Sequence, residues 1–478
     1  MSENKMKLNW KDTSQIAMHW KPFKEDGGRV ECTLCPRHCK TSPGQMGFCK
    51  VRGNKDGEFQ TYNFGKSVAA TEECVETEAI YHFAPGARIL SLGNIGCMMA
   101  CDYCQNWQTS QVKYLDDNVV HTYTPEQIIE LAVQNNIGII SWTYNDPVVW
   151  HEFVYETSKL ANKAGIKTLY KSAFYIEEEP VKQLIEVIDI FSVSLKSMSP
   201  DFYRKITKGE LQPVLDRIKQ VAASGRHLEI SQLLVMELNE KSEDIKRTID
   251  WVLENLGDKV PLHFVGAHPA FKYMHVERTP ISVLMTAHKL AKEAGLKYCY
   301  LGNVYEGGVS DTKCLKCDHL QVKRFGLTGE VLGLDEKGNC SNCGEASPIK
   351  ESRMAKERAR QEPGPINAIH TSKFAWTKDV KSVHLVAKNK GQSKMANVQI
   401  KHAGGTHLEN YQLGGSGLTR VIISRASDLE SGIEVSWDNN QEIEILPVLD
   451  RAHFPVMSSM TDIGVKAHVP AAATLELS

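Results

Sequence analysis

The sequence lacks several features that define large classes of proteins. Its 56 Lys and Arg residues are balanced by 58 Asp and Glu residues, which leaves a formal net charge of -2. Such a balance provides no basic field for nucleic acid or for an anionic membrane. No apolar run approaches the roughly 20 residues that span a bilayer. We therefore expect neither nucleic acid nor a membrane as a partner.

The first residues of the chain also lack the apolar core of a signal peptide, because residues 1–5 lead into polar sequence. We find no internal repeat and no low-complexity tract. Hydrophobic residues account for 42% and charged residues for 24%, as in soluble globular proteins. A chain of 478 residues exceeds one ordinary core, so two or three domains are expected. The expected compartment is the cytoplasm.

Cysteine, in contrast, is abundant. The 13 cysteines form three groups, and only Cys74 and Cys299 stand alone. Because thiols stay reduced in the cytoplasm, closely spaced groups indicate metal sites rather than disulfides. The groups are Cys32, Cys35, Cys39 and Cys49, then Cys97, Cys101 and Cys104, and finally Cys314, Cys317, Cys340 and Cys343.

The middle of the chain alternates short β-branched runs with longer helical patterns. Such alternation predicts βαβ units and an α/β fold with a parallel sheet. About six repeats suit a partial or full (β/α) barrel, whose chemistry lies at the carboxyl ends of its strands. Strands are predicted near 88–92, 138–142, 167–171, 189–195, 228–235, 261–266 and 298–301, and helices near 125–133, 149–163, 178–187, 211–223, 241–255 and 280–294.

The composition changes after about residue 350. Residues 350–361 are charged and predicted to be helical, and Pro363-Gly364-Pro365 follows them like a linker. Short alternating runs at 383–386, 398–400, 421–423, 433–435 and 443–445 then predict a small antiparallel β domain. The predicted domains are 1–80 with a four-cysteine metal knuckle, 81–309 the barrel, 310–349 a zinc ribbon, 350–369 a linker and 370–478 a β-sandwich-like domain.

The central cysteine group, Cys97, Cys101 and Cys104, has the spacing C-x3-C-x2-C. Cubane clusters are usually held by four thiolates, so three on one loop leave one iron open. An open iron can chelate S-adenosylmethionine (SAM), and an electron then breaks the sulfonium bond to give a 5′-deoxyadenosyl radical. The alternatives are a zinc site or a ferredoxin-like cluster with a distant fourth cysteine. Three features favour the radical chemistry. They are the three-residue gap between Cys97 and Cys101, the aromatic Tyr103 before Cys104, and the predicted strand just upstream.

Residues 30–348 resemble the radical SAM enzyme of the AmmeMemoRadiSam system, a relative of pyruvate formate-lyase activating enzymes. The resemblance implies a radical SAM barrel, a [4Fe–4S] cluster, SAM and an external electron donor such as flavodoxin or ferredoxin. It rests on Tyr81-His82-Phe83 with Pro85-Gly86, the segment from Cys97 to Trp107, Tyr144-Asn145-Asp146-Pro147, Phe202-Tyr203-Arg204-Lys205-Ile206, Thr279-Pro280 and Gly302-Asn303-Val304.

The same resemblance implies a set of SAM-binding residues: Tyr103, Asn145, Asp146, Lys196 and His268. Asp146 replaces the Glu of the family's Tyr-Asn-Glu-Pro and is expected to bind the SAM ammonium. Lys196 matches the Lys of the family's Asp-Leu-Lys, and His268 follows a later strand on the substrate side. The alternatives are a helix N-cap for Asp146 and a surface charge for Lys196. No catalytic residue is predicted.

Two departures from the family pattern indicate a divergent member. The family's Thr-Asn-Gly is Ser172-Ala173-Phe174 here, and Ser194 replaces the Asp of Asp-Leu-Lys. Because these positions are expected near SAM or substrate, the departures favour a reaction particular to this chain.

The two flanking cysteine groups are predicted metal sites. Cys314, Cys317, Cys340 and Cys343 form CxxC-x22-CxxC, the pattern of a structural zinc ribbon. Cys32, Cys35, Cys39 and Cys49 could bind zinc or an auxiliary iron–sulfur cluster, and their spacing does not decide between them. Gly44 and Gly47 indicate a compact knuckle and favour zinc.

Three functions compete. The first is an enzyme that uses the radical to modify a substrate, either a small molecule or a protein. The second is an activase that installs a glycyl radical on a partner protein, and the third is a metal-binding adaptor without catalysis. The departures at 172–174 and 194 favour the first, and intact Cys97, Cys101 and Cys104 argue against the third.

Overall fold

The computed structural model describes residues 10–23, 27–304, 307–357, 366–377, 380–387, 396–403, 408–413, 417–424, 431–439 and 442–449. The chain divides into two compact units, Met1–Ala359 and Arg360–Ser478. The predicted linker residues Pro363-Gly364-Pro365 lie outside the described residues.

Short strands form the amino-terminal region of the first unit. Antiparallel pairing joins them into one sheet of order β1-β6-β5 and another of order β2-β3-β4. The strands are β1 (Gln15–Ile16), β2 (Trp20–Pro22), β3 (Val30–Cys32), β4 (Lys40–Thr41), β5 (Arg52–Lys55) and β6 (Glu58–Thr61).

A largely parallel sheet forms the centre of the first unit. Its strands are β7 (Lys66–Cys74), β8 (Arg88–Asn94), β9 (His121–Thr122), β10 (Ile139–Thr143), β11 (Lys167–Ser172), β12 (Ile190–Ser194), β13 (His227–Leu234), β14 (Leu262–Gly266) and β15 (Cys299–Gly302). The order β8-β10-β11-β12-β13-β14-β15 is parallel throughout, and β7 lies antiparallel to both β8 and β9.

This topology confirms the predicted α/β class. Among the described strands, β15 pairs with β14 alone, so the sheet does not close on itself. The sheet also includes β7, which precedes the predicted barrel boundary at residue 81.

Helices connect the parallel strands. Each longer helix buries one stripe of apolar residues, as amphipathic periodicity predicts. Thr124 and Gln127 form a capping box at the start of the second helix. The helices are α1 (Trp107–Ser110), α2 (Pro125–Gln134), α3 (His151–Lys163), α4 (Glu178–Val187), α5 (Pro200–Phe202), α6 (Leu211–Ala223), α7 (Ser242–Leu256) and α8 (Ile281–Glu293).

One face of the parallel sheet changes from apolar to polar along the strands. Near the amino ends, Ile89, Ile139, Leu169 and Ile190 form a buried cluster, which residues of the 75–87 segment and Met354 complete. Because side chains alternate between the faces of a strand, the same face next presents Ser91, Ser141, Lys171 and Ser192. The amino end of the sheet is therefore packed with hydrocarbon, and polar groups begin one layer above it.

The rest of the first unit carries the last cysteine group. It consists of β16 (Thr312–Lys313), β17 (Leu320–Phe325), β18 (Thr328–Val331) and α9 (Met354–Glu357). The three strands form an antiparallel sheet.

The second unit consists of antiparallel strands. One set has the order β19-β24-β21-β22, and in the other β20 lies between β23 and β25. The five predicted runs fall in β20, β21, β23, β24 and β25. The strands are β19 (His370–Ala375), β20 (Val380–Ala387), β21 (Ala396–His402), β22 (Leu408–Leu413), β23 (Arg420–Ser424), β24 (Gly432–Trp437) and β25 (Ile443–Leu449).

In the part of the chain that the structure describes, no helix combines the length and the apolar character that crossing a bilayer requires.

Two buried histidines make the stability of the fold dependent on pH. Burial lowers the pKa of His82 to about 3 and that of His151 to about 4. An unfolded histidine titrates near 6.5. Between these values the unfolded chain binds protons that the native chain does not, so stability is lost as pH falls below about 6.5. Within that window, each histidine should lower the free energy of unfolding by about 1.4 kcal/mol for every unit by which the pH falls.

Urea unfolding at pH 7.5 and pH 5.5 measures this effect. His151 Nε2 lies 3.0 Å from Gln183 Oε1, and a glutamine at 151 does not titrate. The difference between the two pH values should therefore be smaller in His151→Gln than in the unmodified chain. Equal differences in the two proteins would contradict the lowered pKa of His151 as a source of the pH dependence.

Candidate functional site

The loop that carries Cys97, Cys101 and Cys104 follows β8 at the carboxyl edge of the parallel sheet. Residues 203–207 form a turn of π-helix that holds this loop by its backbone. Ala100 N–H donates to the Thr207 carbonyl at 3.1 Å, and Asp102 N–H donates to the Ile206 carbonyl at 3.1 Å. The three thiols are therefore positioned by fixed backbone contacts rather than by free loop residues.

The three thiols are half-buried and affect one another electrostatically. Burial raises the pKa of Cys97 and of Cys104, and it raises the pKa of Cys101 to about 12. A thiol with such a pKa ionises when a metal binds it, since coordination removes the proton outright. Soft thiolate donors select iron–sulfur clusters, zinc or copper(I), so the donor set fits a cluster.

The turn after β10 presents the predicted residues Asn145 and Asp146. Tyr144 and Asn145 have φ values of 47° and 48°, in the left-handed region. Asn145 donates to the Asn94 carbonyl and accepts a hydrogen bond of 2.9 Å from Thr109 Oγ1. The turn is therefore tied both to the end of β8 and to helix α1, which follows the cysteine loop.

The Asp146 carboxylate is buried and already has three donors within the chain. It accepts from Val148 N–H at 3.1 Å, from Ser172 Oγ at 2.8 Å and from Ala173 N–H at 2.8 Å. Burial raises its pKa to about 6. The first contact is the helix N-cap that we considered as the alternative role. The other two involve the positions at which the chain departs from the family pattern.

Lys196 and His268 also follow carboxyl ends of strands. Lys196 comes two residues after β12 and is half-buried, and its charge acts on Cys101, Cys104 and Asp146. His268 is half-buried two residues after β14. Because the carboxyl ends of parallel strands share one edge, His268 lies on the same edge as the cysteine loop.

Tyr103 differs from these residues because it packs into the interior. Its side chain is buried, and its ring lies 6.0 Å from that of Phe202. Burial raises its pKa well above the ordinary value for tyrosine. Tyr103 therefore packs beside the cysteine loop, where Cys101 and Cys104 act on its hydroxyl, and its role in SAM binding stays a prediction.

The loop after β14 covers the other side of the cysteine loop. The Phe271 ring stacks on Trp107 with a centroid distance of 5.2 Å and an angle of 17°. Lys272 N–H donates to the Asp102 carbonyl at 3.0 Å, and its ammonium lies 2.8 Å from the Asp102 carboxylate. Phe271 and Lys272 carry no motif of their own and were not predicted from the sequence.

A polar group inside the sheet was also missed. Lys171 Nζ donates to Ser192 Oγ at 3.0 Å and to Ser231 Oγ at 2.9 Å. The neighbouring Glu78 carboxylate accepts from Ser141 at 3.1 Å and from Thr143 at 2.9 Å. Burial lowers the pKa of Lys171 and raises that of Glu78. A lysine within a strand that otherwise faces the interior was the available sequence signal.

The last cysteine group converges on one point. Cys314 Sγ lies 3.6 Å from Cys343 Sγ, and Cys317 Sγ lies 3.6 Å from Cys340 Sγ. All four sulfurs lie within 4.8 Å of one another. A tetrahedral zinc with Zn–S bonds of about 2.3 Å places its sulfurs about 3.8 Å apart. The four ribbon thiols thus fit a single zinc ion.

The first cysteine group lines one cavity. Its wall is formed by Cys32, Cys35, Cys39 and Cys49 together with Arg52 and with Met98 of the cysteine loop. Cys32 and Cys35 are buried, and Cys39 and Cys49 are half-buried. The structure thus brings together the four residues that the sequence predicts as one site.

Comparison with known proteins defines the class of the chain. Residues 94–252 match the family model of the Radical SAM superfamily. An uncharacterized protein of Methanocaldococcus jannaschii is 37% identical over 327 residues, which are 68% of this chain and 97% of that protein. The chain therefore belongs to the radical SAM superfamily and is an enzyme. Its domain implies SAM and a [4Fe–4S] cluster as cofactors.

Curated relatives named as activating enzymes confirm the predicted likeness to that group. The (2S)-3-sulfopropanediol dehydratase activating enzyme of Klebsiella oxytoca is 24% identical over 239 residues, which are 49% of this chain and 74% of that enzyme. A domain of a pyruvate-formate lyase-activating enzyme from Bacteroides vulgatus covers 34% of this chain and 97% of its own length, at 16% identity and a TM-score of 0.31.

Proposed function

We propose that the protein cleaves SAM reductively at a [4Fe–4S] cluster held by Cys97, Cys101 and Cys104, and that the resulting 5′-deoxyadenosyl radical modifies a substrate that is a small molecule or a protein. The observation that supports this most is the position of the three thiols at the carboxyl edge of a parallel sheet, beside Lys196 and Asp146. When bound, the cluster supplies the electron that breaks the sulfonium bond.

The chain's own residues orient SAM in this proposal. Lys196 offsets the negative charge of the thiolates and faces SAM, and Asn145 holds the adjoining turn against Asn94. Asp146 binds the SAM ammonium in this proposal, and its three internal hydrogen bonds hold its carboxylate and the turn in place. Tyr103 supports the loop from below, and His268 lines the substrate side.

An assay for 5′-deoxyadenosine tests the proposal. Protein reconstituted anaerobically with iron and sulfide is mixed with SAM and dithionite, and the nucleoside is measured by chromatography. We expect 5′-deoxyadenosine in amounts that depend on both SAM and reductant. A fully reconstituted protein that releases none would refute the proposal. We propose a flavodoxin- or ferredoxin-type protein as the natural reductant.

The relatives favour a second candidate function. Curated relatives are named as activating enzymes, which supports an activase that installs a glycyl radical on a partner protein. Co-expression with the products of neighbouring genes, followed by electron paramagnetic resonance (EPR), separates the two functions. A glycyl-radical doublet on a partner supports the activase, and its absence beside a modified substrate supports the first function.

We further propose the predicted domain division, with the strands of the second unit forming the β-sandwich-like domain and the cytoplasm as the compartment. The ribbon cysteines Cys314, Cys317, Cys340 and Cys343 hold zinc in this proposal, supported by their short sulfur–sulfur distances.

The zinc ribbon leads to a prediction about metal content. Cys317→Ser should lose about one zinc per chain, because three thiolates do not complete a structural tetrahedral site. Metal analysis by mass spectrometry checks this, and thermal melting should show a lower midpoint, since zinc binding contributes to folding. Cys74→Ser is the matched control, as Cys74 lies in β7 apart from the groups, and it should keep its zinc. Equal zinc in both variants would contradict the site.

A further inference from the structure

The four amino-terminal cysteines surround a cavity that adjoins the SAM-cleaving site. Met98, which directly follows Cys97, lines the same cavity as Cys32, Cys35, Cys39 and Cys49. Any metal centre in this cavity therefore lies next to the cysteine loop.

The sulfurs of this group are spaced differently from those of the zinc ribbon. Among the described residues, the ribbon thiols are the group of ligand atoms that converges to within 4.8 Å of one another. Neither the four amino-terminal sulfurs nor those of Cys97, Cys101 and Cys104 form such a group in the described part of the chain. One zinc ion needs its sulfurs about 3.8 Å apart. In a cubane each thiolate binds a different iron, so its sulfurs stand farther apart.

The cavity also contains hydrogen-bond donors suited to a charged cluster. Arg52 is 1% exposed, and its Nε has no hydrogen-bond partner among the described residues. Phe48 N–H donates to Cys39 Sγ at 3.4 Å. A buried N–H without an acceptor is costly, and a cluster sulfide or thiolate supplies an acceptor.

Backbone contacts fix this cavity against the cysteine loop. Gly96, which precedes Cys97, has a φ of 80°, and a Cβ there would lie 2.9 Å from the Cys49 carbonyl oxygen. The Arg37 guanidinium donates to the carbonyls of Met98 and Lys208. The amino-terminal cysteine group and the cysteine loop are therefore held in direct contact with each other.

We propose that Cys32, Cys35, Cys39 and Cys49 hold a second [4Fe–4S] cluster, fully ligated by protein thiolates, beside the SAM-cleaving site. With four cysteines and four irons, no iron is left open, so this cluster does not bind SAM. The zinc favoured by the sequence pattern is assigned to the ribbon alone. The proposal does not depend on SAM cleavage, since it concerns metal content.

The experiment uses the full chain with Cys97, Cys101 and Cys104 replaced by alanine, which leaves the amino-terminal group intact. After anaerobic reconstitution we expect about four irons and about four sulfides per chain, with about one zinc. The reduced protein should give a cluster EPR signal that added SAM leaves unchanged. The unmodified chain should contain about twice as much iron.

Further cysteine replacements test which residues bind the iron and provide the control. Adding Cys39→Ala and Cys49→Ala to the triple variant, in which Cys97, Cys101 and Cys104 are alanine, should remove its iron. Adding Cys74→Ala to the same variant should leave the iron in place. About two zincs and no iron in the triple variant would overturn the proposal, as would about two irons or an EPR signal that responds to SAM. Because the decisive measurement is made on the triple variant, loss of folding in the further variants does not affect it.

Discussion

Replacement of Cys97, Cys101 and Cys104 by alanine should reduce 5′-deoxyadenosine formation to the level seen without protein. In the proposed function these thiols hold the open-iron cluster, and no other cysteine lies on their loop between β8 and α1. The SAM-dependent change in the EPR spectrum should disappear with the product. Both are measured on the same reconstituted samples with dithionite as reductant.

The controls separate lost chemistry from lost folding. Zinc content and circular dichroism should match the unmodified chain, because the ribbon sulfurs form a separate group. Cys299→Ala alters a solitary cysteine in β15 and should keep product formation. Persistent 5′-deoxyadenosine in the triple variant would show that SAM is cleaved elsewhere.

Glu229→Gln should destabilise the protein by about 1.5–3 kcal/mol, the typical worth of a hydrogen bond to a charged group. Its fully buried carboxylate accepts from His227 Nε2 at 2.8 Å and from His263 Nε2 at 2.7 Å. It also accepts backbone N–H groups from Tyr81 at 3.0 Å and from His82 at 2.8 Å. An amide offers one acceptor atom in place of two, so buried donors lose their partner.

Denaturant unfolding near pH 7 measures this change. Burial alone would raise the pKa of Glu229, but hydrogen bonds from His227 and His263 hold that pKa well below the ordinary value. The stabilising contribution is therefore fully present above about pH 4.5 and declines in more acidic solution. Glu254→Gln, on the exposed side of α7, should change stability by less than about 0.5 kcal/mol. Similar losses in the two variants would contradict the network.

Local pattern predicted much of the parallel sheet and the grouping of the cysteines. Residues 211–223 were predicted as a helix from apolar spacing, and α6 has the same bounds. The spacing of Cys97, Cys101 and Cys104 predicted their loop, because all ligands lie within one short segment. In such cases the information is contained in neighbouring residues.

Other features depend on contacts between distant residues. Glu229 lies in β13, and its partners Tyr81 and His263 are 148 and 34 residues away in the sequence. The strand β7 was missed because charged Glu72 and Glu73 obscure its period, although Glu72 pairs with Arg88 on β8. Spacing did not identify the metal of the first cysteine group either, since a knuckle and a cluster use the same ligands.

The hydrocarbon packing at the amino end of the sheet has a consequence for the access of substrate to the enzyme. Ile89, Ile139, Leu169 and Ile190 fill that end together with the 75–87 segment. In the proposed function, substrate and products therefore enter and leave at the opposite, carboxyl end of the sheet, where the cysteine loop lies. A molecule bound at the carboxyl end would also control whether water or another quencher reaches the proposed radical. Substrate entry and protection of the intermediate therefore depend on the same end of the sheet.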